Sequence, residues 1–222
     1  MKIFRNRKNL EKKILNIKNL SFFPTLGGLH EGHSELIKIA KKRFKKVLVS
    51  IFVNPKQFNS KRDYKSYPRN QKKDLALLRK LKVDYVYIPS KTEIFSFKTT
   101  NKIFLHKFSS ELCGKYRKGH FPGVLNVVNR FLEIIKPKYI VLGKKDFQQF
   151  FLIKEHILKS KIPTKVVALN TVRNKHGIAY SSRNLNMNKL QLKRYIKVVK
   201  LIKRQKKSMD KQKIINGIKK LE

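Results

Sequence analysis

Two histidines three positions apart, His30 and His33, lie within Pro24-Thr25-Leu26-Gly27-Gly28-Leu29-His30-Glu31-Gly32-His33. Glycine lets a backbone approach a ligand closely. An apolar run precedes the segment and a helical pattern follows it, so the pair falls at a strand-to-helix junction. There the exposed N–H groups and the helix dipole favour anions, and two imidazoles can sit beside a phosphate. The plain alternative is one capping and one packed histidine, while a zinc site would need a further ligand.

Four more segments carry polar chemistry. Ser50-Ile51-Phe52-Val53-Asn54-Pro55-Lys56-Gln57-Phe58 ends a strand with amides that can orient a small polar substrate. Taken alone, it is an Asn-Pro turn. Gly114-Lys115-Tyr116-Arg117-Lys118-Gly119-His120-Phe121-Pro122-Gly123 is a basic, glycine-punctuated loop opening a helix. Gly143-Lys144-Lys145-Asp146-Phe147-Gln148-Gln149 again joins strand to helix, with a lysine that can neutralise phosphoryl charge and an aspartate that can help hold a magnesium ion or a lysine. Ala179-Tyr180-Ser181-Ser182-Arg183-Asn184 groups hydroxyls with a guanidinium, a set suited to phosphate oxygens.

The elements that must position these segments follow from hydrophobic periodicity. The first twenty residues read as a basic amphipathic helix through Leu10, Ile14 and Ile17. Strands are expected at 21–25, 47–53, 83–88, 139–142 and 164–169. Helices are expected from Leu36, Ile37, Ala40 and Phe44, from Leu75, Leu78 and Leu81, from Val124 to Ile135, and from Phe147 to Leu158. Residues 54–68 read as loop, residues 90–120 as short strands and loops, and the chain after Asn184 as lysine-rich helix. Strand alternating with helix predicts an α/β fold, a parallel sheet covered on both faces. Ligands of such sheets bind beyond the carboxyl ends of the strands, where these segments fall. A boundary near residue 171 divides the chain into 1–171 and a small, mainly helical piece, 172–222.

Composition narrows the function. Lys and Arg number 55 against 13 Asp and Glu, a formal charge of +42. Such a balance usually suggests nucleic acid, but the lysines are spread along the whole chain, so no specific nucleic-acid partner is expected. No stretch nears the roughly 18 apolar residues of a membrane span. The charged start Met1-Lys2-Ile3-Phe4-Arg5 lacks a signal h-region, and a single cysteine, Cys113, leaves no disulfide framework. A cytoplasmic location is expected.

In order and spacing, these segments, with Tyr67-Pro68-Arg69, resemble the pantoate–β-alanine ligase family over about residues 20 to 185. The resemblance implies a Rossmann-like domain of the His-x-Gly-His nucleotidyltransferase type, a smaller covering domain and a homodimer. It also implies two steps. ATP and pantoate give pantoyl-adenylate and pyrophosphate with Mg2+, and β-alanine then displaces AMP. By that analogy Leu26, Gly27, Gly28, Leu29, His30, Glu31, Gly32 and His33 bind ATP, as do Gly143, Lys144, Lys145 and Asp146. Val172, Tyr180, Ser181, Ser182 and Arg183 complete the nucleotide site, Gln57 contacts pantoate and then β-alanine, and Gln149 contacts pantoate. His33 is the family's proton donor, with His30 and Lys145 as further catalytic groups. Pantoate's carboxylate is already ionised, so chemistry favours hydrogen bonding to phosphate as the role of His33.

The pattern departs from the family at Lys144 (usually acidic), Lys118 (usually proline), Leu26 (commonly methionine) and Tyr180 (usually leucine). Few residues follow Asn184, so the covering domain is expected to be reduced and the adenylate less shielded from water. The alternatives are another His-x-Gly-His nucleotidyltransferase, or a degenerate basic relative adhering to RNA.

Overall fold

The computed structural model describes residues 1–205. Its strands are β1 Lys2–Phe4, β2 Leu20–Thr25, β3 Lys46–Ile51, β4 Tyr85–Tyr87, β5 Tyr139–Gly143 and β6 Lys165–Leu169. Its helices are α1 Arg7–Ile14, α2 Glu31–Arg43, α3 Lys61–Ser66, α4 Gln71–Lys80 and α5 Lys91–Phe95, then α6 Cys113–Tyr116, α7 His120–Ile135, α8 Phe147–Lys159 and α9 Lys189–Gln205. The strands form one sheet in the order β1-β4-β3-β2-β5-β6, with every pairing parallel.

Alternate residues of the central strands enter two cores. Phe22 and Leu48 join Leu10 of α1 and Val124, Phe131 and Ile135 of α7. Phe23, Val47 and Val49 meet Ile37 and Ala40 of α2 and Leu75 and Leu78 of α4. A strand buried on both faces has no polar alternation to show, which is why residues 47–53 read as a nearly unbroken apolar run.

From β2 the chain steps to β3 and β4 on one side, then crosses to β5 and β6 on the other. The reversal lies between β2 and β5. Those two strands pair only at Ser21↔Tyr139 and Phe22↔Ile140, although β2 continues to Thr25 and β5 to Gly143. Their carboxyl ends therefore diverge and leave the crevice in which this topology binds ligands.

Three sequence expectations need correction. Lys2–Phe4 is an edge strand paired with β4, not part of a helix. It is too short and too charged to show a period of two. Residues 54–68 contain a 3-10 turn, Pro55–Gln57, and α3.

Residues 90–120 hold no strand. They form α5, a 3-10 turn at Lys107–Ser110 and α6. Side chains of α7 and α8 take the hydrogen bonds that a sheet would have taken. Glu133 accepts from the N–H groups of Thr100 and Asn101 at 3.1 and 3.0 Å, and buried His156 accepts from Phe104 at 3.2 Å. Gln148 accepts from the Cys113 N–H at 3.1 Å and donates to the carbonyls of Phe108 and Glu111 at 2.7 and 2.8 Å. After Asn184, the expected helix is α9 as far as Gln205, and the remainder of that expectation lies outside the described residues.

Candidate active site

A cavity of about 410 Å³ opens at the diverging ends of β2 and β5. One wall begins at the start of α2. His30 is the N-cap, and its Nδ1 accepts from the Gly32 N–H at 3.1 Å, while Nδ1 of His33 accepts from the His30 N–H at 3.3 Å. A ring nitrogen that accepts from an amide carries no proton, so each histidine bears its hydrogen on Nε2. The rings lie 4.1 Å apart. Burial first, then Lys145, lower the pKa of His30 to about 4; burial, His30 and Lys145 lower that of His33 to about 3. At neutral pH both are uncharged Nε2–H donors, suited to hydrogen-bonding an oxyanion rather than supplying it with a proton.

Leu26, Gly32, Gly143, Lys145 and Asp146 line the same cavity. Val172, Tyr180, Ser181, Ser182 and Arg183 close it from the strand-free segment after β6. Tyr180 stacks on His30 with 6.5 Å between ring centres, and a Cβ on Gly32 would come within 2.9 Å of the Tyr180 Cβ. Glycine is required there by close approach. Arg183 is turned toward α3, where its Nη2 meets both carboxylate oxygens of Asp63 at 3.0 and 3.1 Å.

Five residues expected at the nucleotide lie off this lining. Gly27 and Gly28 adopt positive φ, 81° and 62°, and form a tight turn. The N–H groups of Gly28 and Leu29 donate to the buried carboxylate of Asp74 at 3.0 and 2.8 Å. Glu31 is exposed, and Lys144 points to Asn170 Oδ1 at 3.2 Å. Asp74, in the first turn of α4, was not singled out from the sequence. The only local signal is an aspartate at a helix start, which usually caps its own helix.

The opposite wall is built by the 3-10 turn after β3 and the start of α7. Fully buried Asn54 donates from Nδ2 to the Gly123 carbonyl at 3.0 Å and to Gln57 Oε1 at 3.3 Å. With its oxygen engaged, Gln57 keeps its NH2 group as donor. His120 anchors the backbone of Gln57. Arg117 Nη1 can only donate, so His120 Nε2 accepts from it at 3.1 Å and His120 Nδ1–H donates to the Gln57 carbonyl at 2.6 Å. Burial lowers the His120 pKa and keeps this arrangement neutral. Gln149, at the start of α8, also lines the cavity, beside the Gln148 that pins residues 108–113.

A doubly covered parallel sheet, with paired histidines at its switch point, is the architecture of a Rossmann-like enzyme of the His-x-Gly-His nucleotidyltransferase type. The pantoate–β-alanine ligase family matches residues 2–222, and the chain belongs to it. Pantothenate synthetase of Clostridium botulinum is 38% identical over 202 residues, covering 90% of this chain and 72% of that protein. The crystal structure of the Francisella tularensis pantoate–β-alanine ligase, complexed with β-γ ATP and β-alanine, superposes with a TM-score of 0.91 at 36% identity, covering 100% of this chain and 86% of that one. The pantothenate synthetase of Thermus thermophilus superposes with a TM-score of 0.89 at 28% identity, covering 100% and 82%.

Proposed function

We infer that this chain joins pantoate to β-alanine at the expense of ATP. The observation that carries this reading is the meeting of the His30–His33 pair and Lys145 with Gln57 and Gln149 in one cavity at the β2/β5 crevice.

In the first step a pantoate carboxylate oxygen attacks the α-phosphorus of ATP. An O–P bond forms, the α–β phosphoanhydride breaks, and pyrophosphate leaves with the electron pair. Charge grows on oxygens, so the groups that matter are fixed donors and cations. The two Nε2–H groups and the Lys145 ammonium supply them, and Ser181, Ser182 and Arg183 take further phosphate oxygens. Arg183 must exchange Asp63 for phosphate as ATP enters. The Gln57 NH2 and Gln149 hold pantoate against the nucleotide. In the second step β-alanine, having lost an ammonium proton, attacks the acyl carbon. The C–N bond forms, the acyl–O bond breaks, AMP departs with the electron pair, and a second proton passes to water.

Among the described residues no cluster of three metal-ligating side chains occurs. Mg2+ typically binds one or two carboxylates and substrate phosphates while keeping several waters, and a single exposed aspartate on the lining, Asp146, fits that habit. The ion would arrive on ATP, held by Asp146 and phosphate oxygens, and would supply charge neutralisation. The N–H groups of Gly28 and Leu29 are taken up by Asp74 and that of Gly27 by Thr25 Oγ1, so these three residues shape the nucleotide site rather than donate to the nucleotide.

The division near residue 171 has all six strands on its N-terminal side. We read the protein as a homodimer. Ile103, Leu105, Leu112 and Tyr116 are exposed along the segment laid over α8, and Phe147 and Leu158 are exposed at its two ends. No helix of the described residues is long and apolar enough to cross a membrane. An ATP consumer of this kind belongs in the cytoplasm.

The test is product analysis. Pantoate, β-alanine and ATP should give pantothenate, AMP and pyrophosphate in equal amounts. ADP as the nucleotide product, or AMP without pantothenate, would contradict the reading.

A further inference from the structure

Three cations line the cavity: Arg117, Lys145 and Arg183. Two already face carboxylates, Lys145 at 3.9 Å from Asp146 and Arg183 at 3.0 Å from Asp63. Arg117 is half-buried, and among the described residues it makes no ion pair. Its side-chain hydrogen bond goes to a neutral ring, His120 Nε2. Burial and the neighbouring Arg183 pull its pKa down, while Asp63 and Asp146 act to raise it. A half-buried guanidinium that makes no ion pair of its own can take an arriving carboxylate through two parallel N–H···O bonds.

Its surroundings indicate which carboxylate. Arg117 follows α6, whose Gly114 leaves no room for a Cβ against the Ser109 carbonyl, so the short helix is seated firmly on the preceding turn. Through His120 the guanidinium is tied to the carbonyl of Gln57. Pantoate's carboxylate must lie at the α-phosphate to react, which places it toward His30, His33 and Lys145. The ligation has one further anionic group to hold, the carboxylate of β-alanine.

We propose that Arg117 binds the β-alanine carboxylate and so selects a β-amino acid as the nucleophile. This rests on the ligase reading above. Held by that end, the zwitterion directs its amine toward the acyl carbon and keeps its own carboxylate from competing with pantoate's for the nucleotide. An amine without a carboxylate gains nothing from the guanidinium.

The experiment compares two reactions and two nucleophiles in the full-length wild type, Arg117→Gln and Arg117→Lys. The reactions are pantoate-dependent ATP–pyrophosphate exchange, which contains no β-alanine, and complete ligation. The nucleophiles are β-alanine and its primary amide. In Arg117→Gln, kcat/KM for β-alanine should fall about 10- to 100-fold more than exchange does, chiefly through KM. The preference for β-alanine over the amide should collapse by the same factor. Arg117→Lys keeps the charge and loses the bidentate geometry, so its preference should lie between the other two. Equal losses in exchange and ligation, or a raised KM for ATP, would assign Arg117 to the first step and overturn the proposal, as would an unchanged β-alanine-to-amide preference. Absence of exchange in the wild type would instead overturn the ligase reading on which it rests.

Discussion

Asp74 does at residue scale what the glycine loop cannot do alone. Two N–H groups at a positive-φ turn need an acceptor, and a single buried carboxylate serves both. Asp74→Ala strands both donors, a loss of about 1–3 kcal/mol. Chemical denaturation should show it, together with a raised KM for ATP as the loop carrying His30 loosens. An unchanged KM would mean that the turn holds without its carboxylate. The histidines yield a second prediction. Their pKa values of about 4 and 3 lie below the ordinary 6.5, so between these limits the folded protein binds fewer protons than the unfolded chain. The stability contributed by the neutral pair is complete above pH 6.5 and drains away as pH falls toward 3. In His33→Asn the melting temperature should decline less steeply below pH 6.5. An equal slope would show that other buried groups, His120 and His156 among them, carry the acid sensitivity.

At element scale the site depends on how closely α7 approaches the turn after β3. A Cβ on Gly123 would lie 2.2 Å from the Lys56 carbonyl oxygen. Backbone meets backbone there, and neither side can rotate away. Gly123→Ala should cost about 1–3 kcal/mol by overpacking and should raise KM for pantoate and β-alanine more than for ATP, because the displaced turn carries Gln57. A uniform effect on all three would sink that assignment. The same approach explains what the sequence displayed and what it hid. The five polar segments were visible because glycines and amides at strand ends stand out against apolar runs. Asp74, Gln148 and the His120–Gln57 contact were not, since each acts across tens of residues and looks like an ordinary helix residue where it stands. Residues 90–120 form no strand, against the sequence expectation, for a related reason. Their hydrogen-bond partners, Glu133, His156 and Gln148, lie on helices later in the chain, and no local pattern announces them.

For the whole molecule, the parallel sheet with helices on both faces was legible from alternating apolar runs, and only the short edge strand β1 escaped. The charge of +42 acts at this scale as well. Like charges spread over a small surface repel one another and added salt screens them, so the melting temperature should rise with ionic strength. A flat or falling curve would show that the excess is already neutralised within the fold. Three of its cations, Lys145, Arg117 and Arg183, line the cavity. The central claim is that these groups first activate pantoate as an acyl-adenylate. Its most direct test is exchange of labelled pyrophosphate into ATP without β-alanine. We predict exchange that requires pantoate and is lost in His33→Ala. Exchange without pantoate, or none at saturating pantoate and ATP, would contradict the account.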